Sequence, residues 1–201
     1  MESRMTRRTL LAGLAFAPLG CFNVIRPFTK DPQTKQTPGA PEFKPASAGR
    51  LVSTWEKKIN YAPDSSRGGA IIPGLVGRVY LFGPDIKDPV IGDGSLIIDL
   101  FDASSRGNEP PTMLEQYRFP AEVLRQFAKK DIFGHGYSIF IPWATYRPDI
   151  THLFLMMRYD SPKDGSFFHQ SGTFALDHAE TVERVKKGMS VSNPGMRLVS
   201  Q

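Results

Sequence analysis

Apolar and polar positions alternate in several short runs, and each run is bounded by turn-forming residues. In Gly77–Phe82, Val79 and Leu81 alternate with Arg78, Tyr80 and Phe82. In Ser95–Asp102, Leu96, Ile98 and Leu100 share one face. Tyr137, Ile139 and Ile141 do the same, with Phe140 on the other side. A period of two is the pattern of a strand with one face in a core. His152–Tyr159 is almost continuously apolar and predicts a central strand. Glu115–Phe119 and Gly172–Asp177 predict two more, and Leu51–Trp55 fits either a strand or the start of a short helix.

Turn chemistry separates these runs. Asp64–Gly69, Pro73-Gly74, Gly83-Pro84-Asp85, Gly92-Asp93-Gly94 and Asp160–Gly165 are rich in Gly, Pro, Asp and Ser. Pro120–Asp131 predicts the one clear helix, with proline in the first turn and Val123, Leu124 and Phe127 on one face. Glu180–Lys187 offers a weaker helical pattern. Seven or eight short strands without alternating βα units predict a mainly β fold. The expected form is an antiparallel two-layer β-sandwich, immunoglobulin-like in arrangement, with one short helix.

The two ends of the chain read differently. Prolines at 27, 32, 38, 41 and 45 stand among Lys, Thr, Gln and Gly with no apolar period. That composition suits an extended tether. The expected organisation is a signal peptide at 1–20, Cys21 and a Pro-rich linker at 21–49, the sandwich at 50–177, and a loose tail at 178–201.

Composition narrows the function. The formal charge is +5 over 201 residues, part of it from Arg4, Arg7 and Arg8. The longest basic runs are pairs, so no nucleic-acid partner is expected. Cys21 is the only cysteine, which excludes an internal disulfide and a Cys-based zinc site. Fourteen phenylalanines supply material for a core.

The first 21 residues carry the sharpest signal. Thr6-Arg7-Arg8-Thr9-Leu10-Leu11 precedes an apolar run that ends at Leu19-Gly20-Cys21. A spanning helix needs roughly 20 apolar residues, and this run is about half as long. A positive front, a short apolar stretch and small residues before a cleavage point describe an export signal. The segment resembles the twin-arginine signal peptides of bacterial lipoproteins, over residues 1–21. Pro18 stands where the lipobox of that group usually has leucine. The resemblance implies export through Arg7 and Arg8 and acylation of Cys21. The implied location is the membrane of the cell envelope, on its periplasmic or surface side, held by the lipid anchor. Most of residues 50–177, from Pro73-Gly74-Leu75-Val76-Gly77-Arg78 through Gly136-Tyr137 and Pro142-Trp143, resemble a group of uncharacterised bacterial secreted lipoproteins. That likeness implies no activity.

Candidate chemistry is sparse. Gly134-His135-Gly136-Tyr137-Ser138 departs from the Gly-x-Ser-x-Gly nucleophile elbow, because Ser138 enters a strand. His135, His152, His169 and His178 lack metal-ligand spacing. Asp160 with Asp164, and Asp85 with Asp88, fall in turns without the cadence of a calcium loop. No catalytic residue, metal or cofactor is assigned. Trp143 and Tyr146 flank a strand end and are the candidate ligand-binding pair: flat rings there suit a glycan, and core packing is the competing expectation for Trp143. The leading reading is a non-enzymatic envelope lipoprotein with a structural or protein-contact role. A glycan-binding module is the alternative, and a hydrolase ranks last.

Overall fold

The computed structural model describes residues 23–24, 44–64, 68–104 and 110–189. Arg7, Arg8 and Cys21 lie outside the described residues.

Two antiparallel sheets face each other. The first runs β1 (Asn23–Val24), β7 (Thr112–Phe119), β6 (Ser95–Asp102), β10 (His152–Ser161) and β11 (Gly165–Gln170), with β12 (Phe174–Ala175) also on β10. All its pairings are antiparallel except that of β1 with β7. The second runs β2 (Arg50–Trp55), β4 (Ala70–Phe82), β9 (Gly134–Pro142) and β8 (Ala128–Asp131). Strands β3 (Asn60–Asp64) and β5 (Pro89–Val90) pair with the two ends of β4.

The alternating residues meet between the sheets. Leu96, Ile98 and Leu100 lie opposite Tyr159, Met157 and Leu155 in register, and all six are buried. Leu75, Val79, Leu81, Tyr137, Ile139 and Ile141 cover them from the second sheet. Removing these side chains from water is the main stabilising term, at roughly 1.5–3 kcal/mol for each large residue fully buried.

Four features differ from the sequence expectation. Pro73-Gly74 does not break the chain, because β4 continues through it for 13 residues. Proline suits the extended φ and forfeits only a donor. Its carbonyl still accepts from Trp143 N at 2.8 Å. Gly74 leaves room for the Phe140 ring and the Ile141 carbonyl.

The helix predicted over Pro120–Asp131 is short. It consists of α1 (Ala121–Leu124) and one 3-10 turn (Arg125–Phe127), and then the chain becomes β8. Leu124 is buried, and Phe127 meets Phe119 edge-on at 5.8 Å, so the apolar face is satisfied within two turns. Lys129 and Lys130 offer a third turn nothing to bury. They pair instead with Gly136 and His135 in a hairpin that Gly134 closes at φ 119°.

The chain is ordered on both sides of 50–177. Before Arg50, Ala48 is buried and Ala46 N donates to the Ile91 carbonyl at 2.9 Å. After 177, the weaker helical pattern at Glu180–Lys187 is realised as α2 (Ala179–Lys186), which docks against the sandwich, so this part of the expected loose tail is structured. Asn60–Asp64, lacking an apolar period, is strand β3 because the long β4 supplies it with a partner.

Candidate functional site

Trp143 and Tyr146 follow β9 at one end of the sandwich. Both are inside the core, with exposures of 0% and 1%. Their rings meet edge-on at 5.1 Å. Trp143 Nε1 donates to Thr145 Oγ1 at 3.1 Å. Neither ring offers a flat face to solvent: Trp143 packs in the core, as the commoner expectation for it has it, and the pair forms no exposed glycan platform. The physical reason is the turn after Pro142, which folds 143–150 back over the open end of the core. Ile150 is also fully buried there.

Tyr146 instead anchors a hydrogen-bonded chain. Its hydroxyl lies 2.9 Å from His178 Nδ1 and 2.9 Å from Thr181 Oγ1. His178 Nε2 lies 2.9 Å from the Ile150 carbonyl. A carbonyl only accepts, so Nε2 carries a proton, and with the proton there alone Nδ1 accepts from the Tyr146 hydroxyl. Thr181 then donates to Tyr146 and accepts from the Tyr61 hydroxyl at 2.6 Å. One directed chain links β3, the 143–150 turn and α2. Burial pushes Tyr146 up to about 12 and raises Tyr61. Arg184 closes the outside, 4.2 Å above the Tyr61 ring and paired with Glu180 at 3.1 Å.

Glu115 is a second polar group at this end. The alternation of β7 turns it inward beside Tyr117 and Phe119, and it is buried. Glu115 Oε1 accepts from Thr145 N at 2.6 Å. The Tyr117 hydroxyl is shared between Glu115 Oε2 at 2.7 Å and the Pro142 carbonyl at 2.8 Å. Burial, then the charge of Glu115, raises Tyr117 well above its ordinary value. These bonds fix the start of the 143–150 turn, as the Tyr146 chain fixes its end.

The remaining sequence candidates are dispersed. Ser138 sits within β9 opposite Arg78, on a strand rather than at an elbow. His135, His152 and His169 lie on β9, β10 and β11. Among the described residues, no group of three His, Cys, Asp or Glu side chains is close enough to hold a metal ion. Asp164 is engaged by Ser47 Oγ at 2.6 Å, Ala48 N at 2.9 Å and Ser161 Oγ at 3.1 Å. Asp160 accepts from Arg158 and Ser166. An open hollow of about 340 Å³ is bounded by Glu56, Lys57, Lys58 and Asp177. Its walls are charged side chains at the surface, with Lys58 paired to Glu56 at 3.6 Å.

Sequence reasoning reached Trp143 and Tyr146, weighed Tyr61 only as a ring and His178 only as a metal ligand, and missed Glu115 and Thr181. Two signals were available. Period two in β7 places Glu115 on the core face, and the spacing of His178 and Thr181 puts them on one face of a helix. Comparison of the chain with protein families, with curated proteins and with solved structures gives no match.

Proposed function

We propose that this protein is an exported lipoprotein, anchored to a membrane of the cell envelope through Cys21. Its role on this reading is non-enzymatic: structure or contact with another envelope protein. The observation that carries the proposal is the order Arg7-Arg8, short apolar run, Cys21, Pro-rich linker. Such an order delivers a folded unit across a membrane and then leaves it on a leash. From β2 onward the sandwich lies downstream of all four parts, with β1 contributed by the linker itself, and its polar clusters hold segments of the protein together. We also read the sandwich as immunoglobulin-like. Supporting that reading, β6 lies beside β10 and β4 beside β9, so neighbours in each sheet come from distant parts of the chain.

Fractionation of the producing cells tests the anchor. Wild-type protein is expected in the membrane fraction and to resist extraction by salt. Cys21→Ser is expected to lose that resistance. Equal partition of the two forms would refute the proposal.

A further inference from the structure

The opposite end of the sandwich carries an unusual apolar tip. The β8–β9 hairpin turns at Ile132 and Phe133, which are 93% and 69% exposed. Beside it is the Gly83–Asp88 loop, where Ile86 is 54% exposed. The two loops touch, because Pro89 packs on Gly134. Large apolar side chains seldom gather at loop tips without a surface to cover them.

The tip is held in shape. Asp131 Oδ1 accepts from Phe133 N at 2.9 Å. Asp131 Oδ2 takes the Tyr80 hydroxyl at 2.7 Å and pairs with Arg78 at 2.7 Å. Phe133 stands edge-on to Tyr80 at 6.2 Å. Ile86 has a φ of 54°, a region a β-branched residue occupies only under strain. The Ile86 N–H donates to the Gly83 carbonyl at 3.1 Å, which fixes the backbone of this turn.

Charge and chain path name the occupant. Lys129 and Lys130 on the hairpin arm, Arg125 before it and Lys87 beside Ile86 are exposed. Asp85, Asp88 and Glu122 are also exposed, so three carboxylates face these four cations and the remaining basic excess sits at Lys129 and Lys130 on the hairpin arm. Apolar residues at a tip with lysines on the arm match a bilayer surface: side chains in the interface, cations at anionic headgroups. The segment downstream of Cys21 joins the sandwich at this same end. Gly49 N donates to the Phe82 carbonyl at 2.7 Å, and Arg50 opposes Phe82. Strand β1, two residues past Cys21, pairs with Tyr117 and Arg118 near the end of β7 that points the same way.

We propose that Ile86, Ile132 and Phe133 form a membrane-docking tip that seats this end of the sandwich on an anionic bilayer. The idea extends the envelope reading above but needs no acyl group, so it is tested on unlipidated protein. Full-length Cys21→Ser has no thiol, and adding Ile132→Cys gives one site for an environment-sensitive fluorophore. With phosphatidylglycerol vesicles, that label is expected to shift to the blue and to be quenched by lipid-borne quencher. A label at Val185→Cys, on α2 at the far end, is expected to stay in water. Lys129→Glu with Lys130→Glu is expected to weaken binding about tenfold or more. A label at 132 that stays in water, or behaves like that at 185, overturns the proposal. So does a blue shift that appears on concentrating the protein without vesicles, because the tip would then be covered by a second copy. Failure of acylation at Cys21 would leave all these outcomes readable.

Discussion

Tyr146 joins three segments through one oxygen. Tyr146→Phe keeps the ring against Trp143 and removes the donor to His178 and the acceptor for Thr181. The expected cost is about 1–2 kcal/mol in urea denaturation, with faster amide exchange in α2. Alkali probes the same group. Burial holds Tyr146 at about 12 against an ordinary value of 10.0. Its neutral form is thus favoured by folding, and the contribution is complete below 10.0. It is lost as pH rises toward 12, because only the unfolded chain has ionised. Tyrosinate absorbance and loss of near-ultraviolet circular dichroism are expected to rise together in that window. Gly94 illustrates a different residue-scale constraint. Its N–H donates to the Tyr159 hydroxyl at 2.6 Å, and a Cβ there would meet the Asp160 carbonyl. Gly94→Ala is expected to cost about 1–3 kcal/mol by the same denaturation assay, since backbone cannot yield as a side chain can. The sequence marked Gly92-Asp93-Gly94 as a turn. It did not show the close approach, which depends on a tyrosine 65 residues away.

Elements were legible where a single period decided them. Strands β6, β9 and β10 followed from alternation or an apolar run, because each buries one face whatever its neighbours do. The Pro120–Asp131 helix was overestimated for a long-range reason: the helical spacing of Val123, Leu124 and Phe127 is real, and Gly134 then draws the next residues into a ladder. β3 depends on β4, a partner it cannot signal locally, and α2, whose helical pattern at Glu180–Lys187 was legible, owes its docking to Tyr61 and Tyr146. The segment before β2 shows the same dependence. Asp164, on the β10–β11 turn, holds Ser47 and Ala48 in place. The hydrogen bond from Ser47, followed by that from Ala48, lowers its carboxyl below the ordinary 3.8. A lowered carboxyl adds stability above 3.8, which fades as pH falls through the folded value. Acid below pH 3.8 is therefore expected to release residues 44–48 before the sheets unfold. Asp164→Ala is expected to do so at neutral pH. Limited proteolysis reads both, and equal cutting of variant and wild type at pH 7 would contradict the assignment.

At the scale of the whole molecule, the two ends of the sandwich differ in kind. One is closed by buried Trp143, Tyr146, Glu115 and the docked α2. The other presents Ile86, Ile132 and Phe133 where the chain enters. The sandwich was readable from strand count and spacing. The candidate site was half readable: its two rings were singled out, but their burial depends on a turn whose fold no local pattern encodes. The proposed transport and anchoring rest on the first 21 residues, so the mature amino terminus is the most direct test. Intact-mass measurement of protein recovered from cells is expected to find a chain that starts at Cys21 and carries a diacylglyceryl group. A chain that retains Met1 and an unmodified Cys21, recovered from the cytosol, would contradict the account.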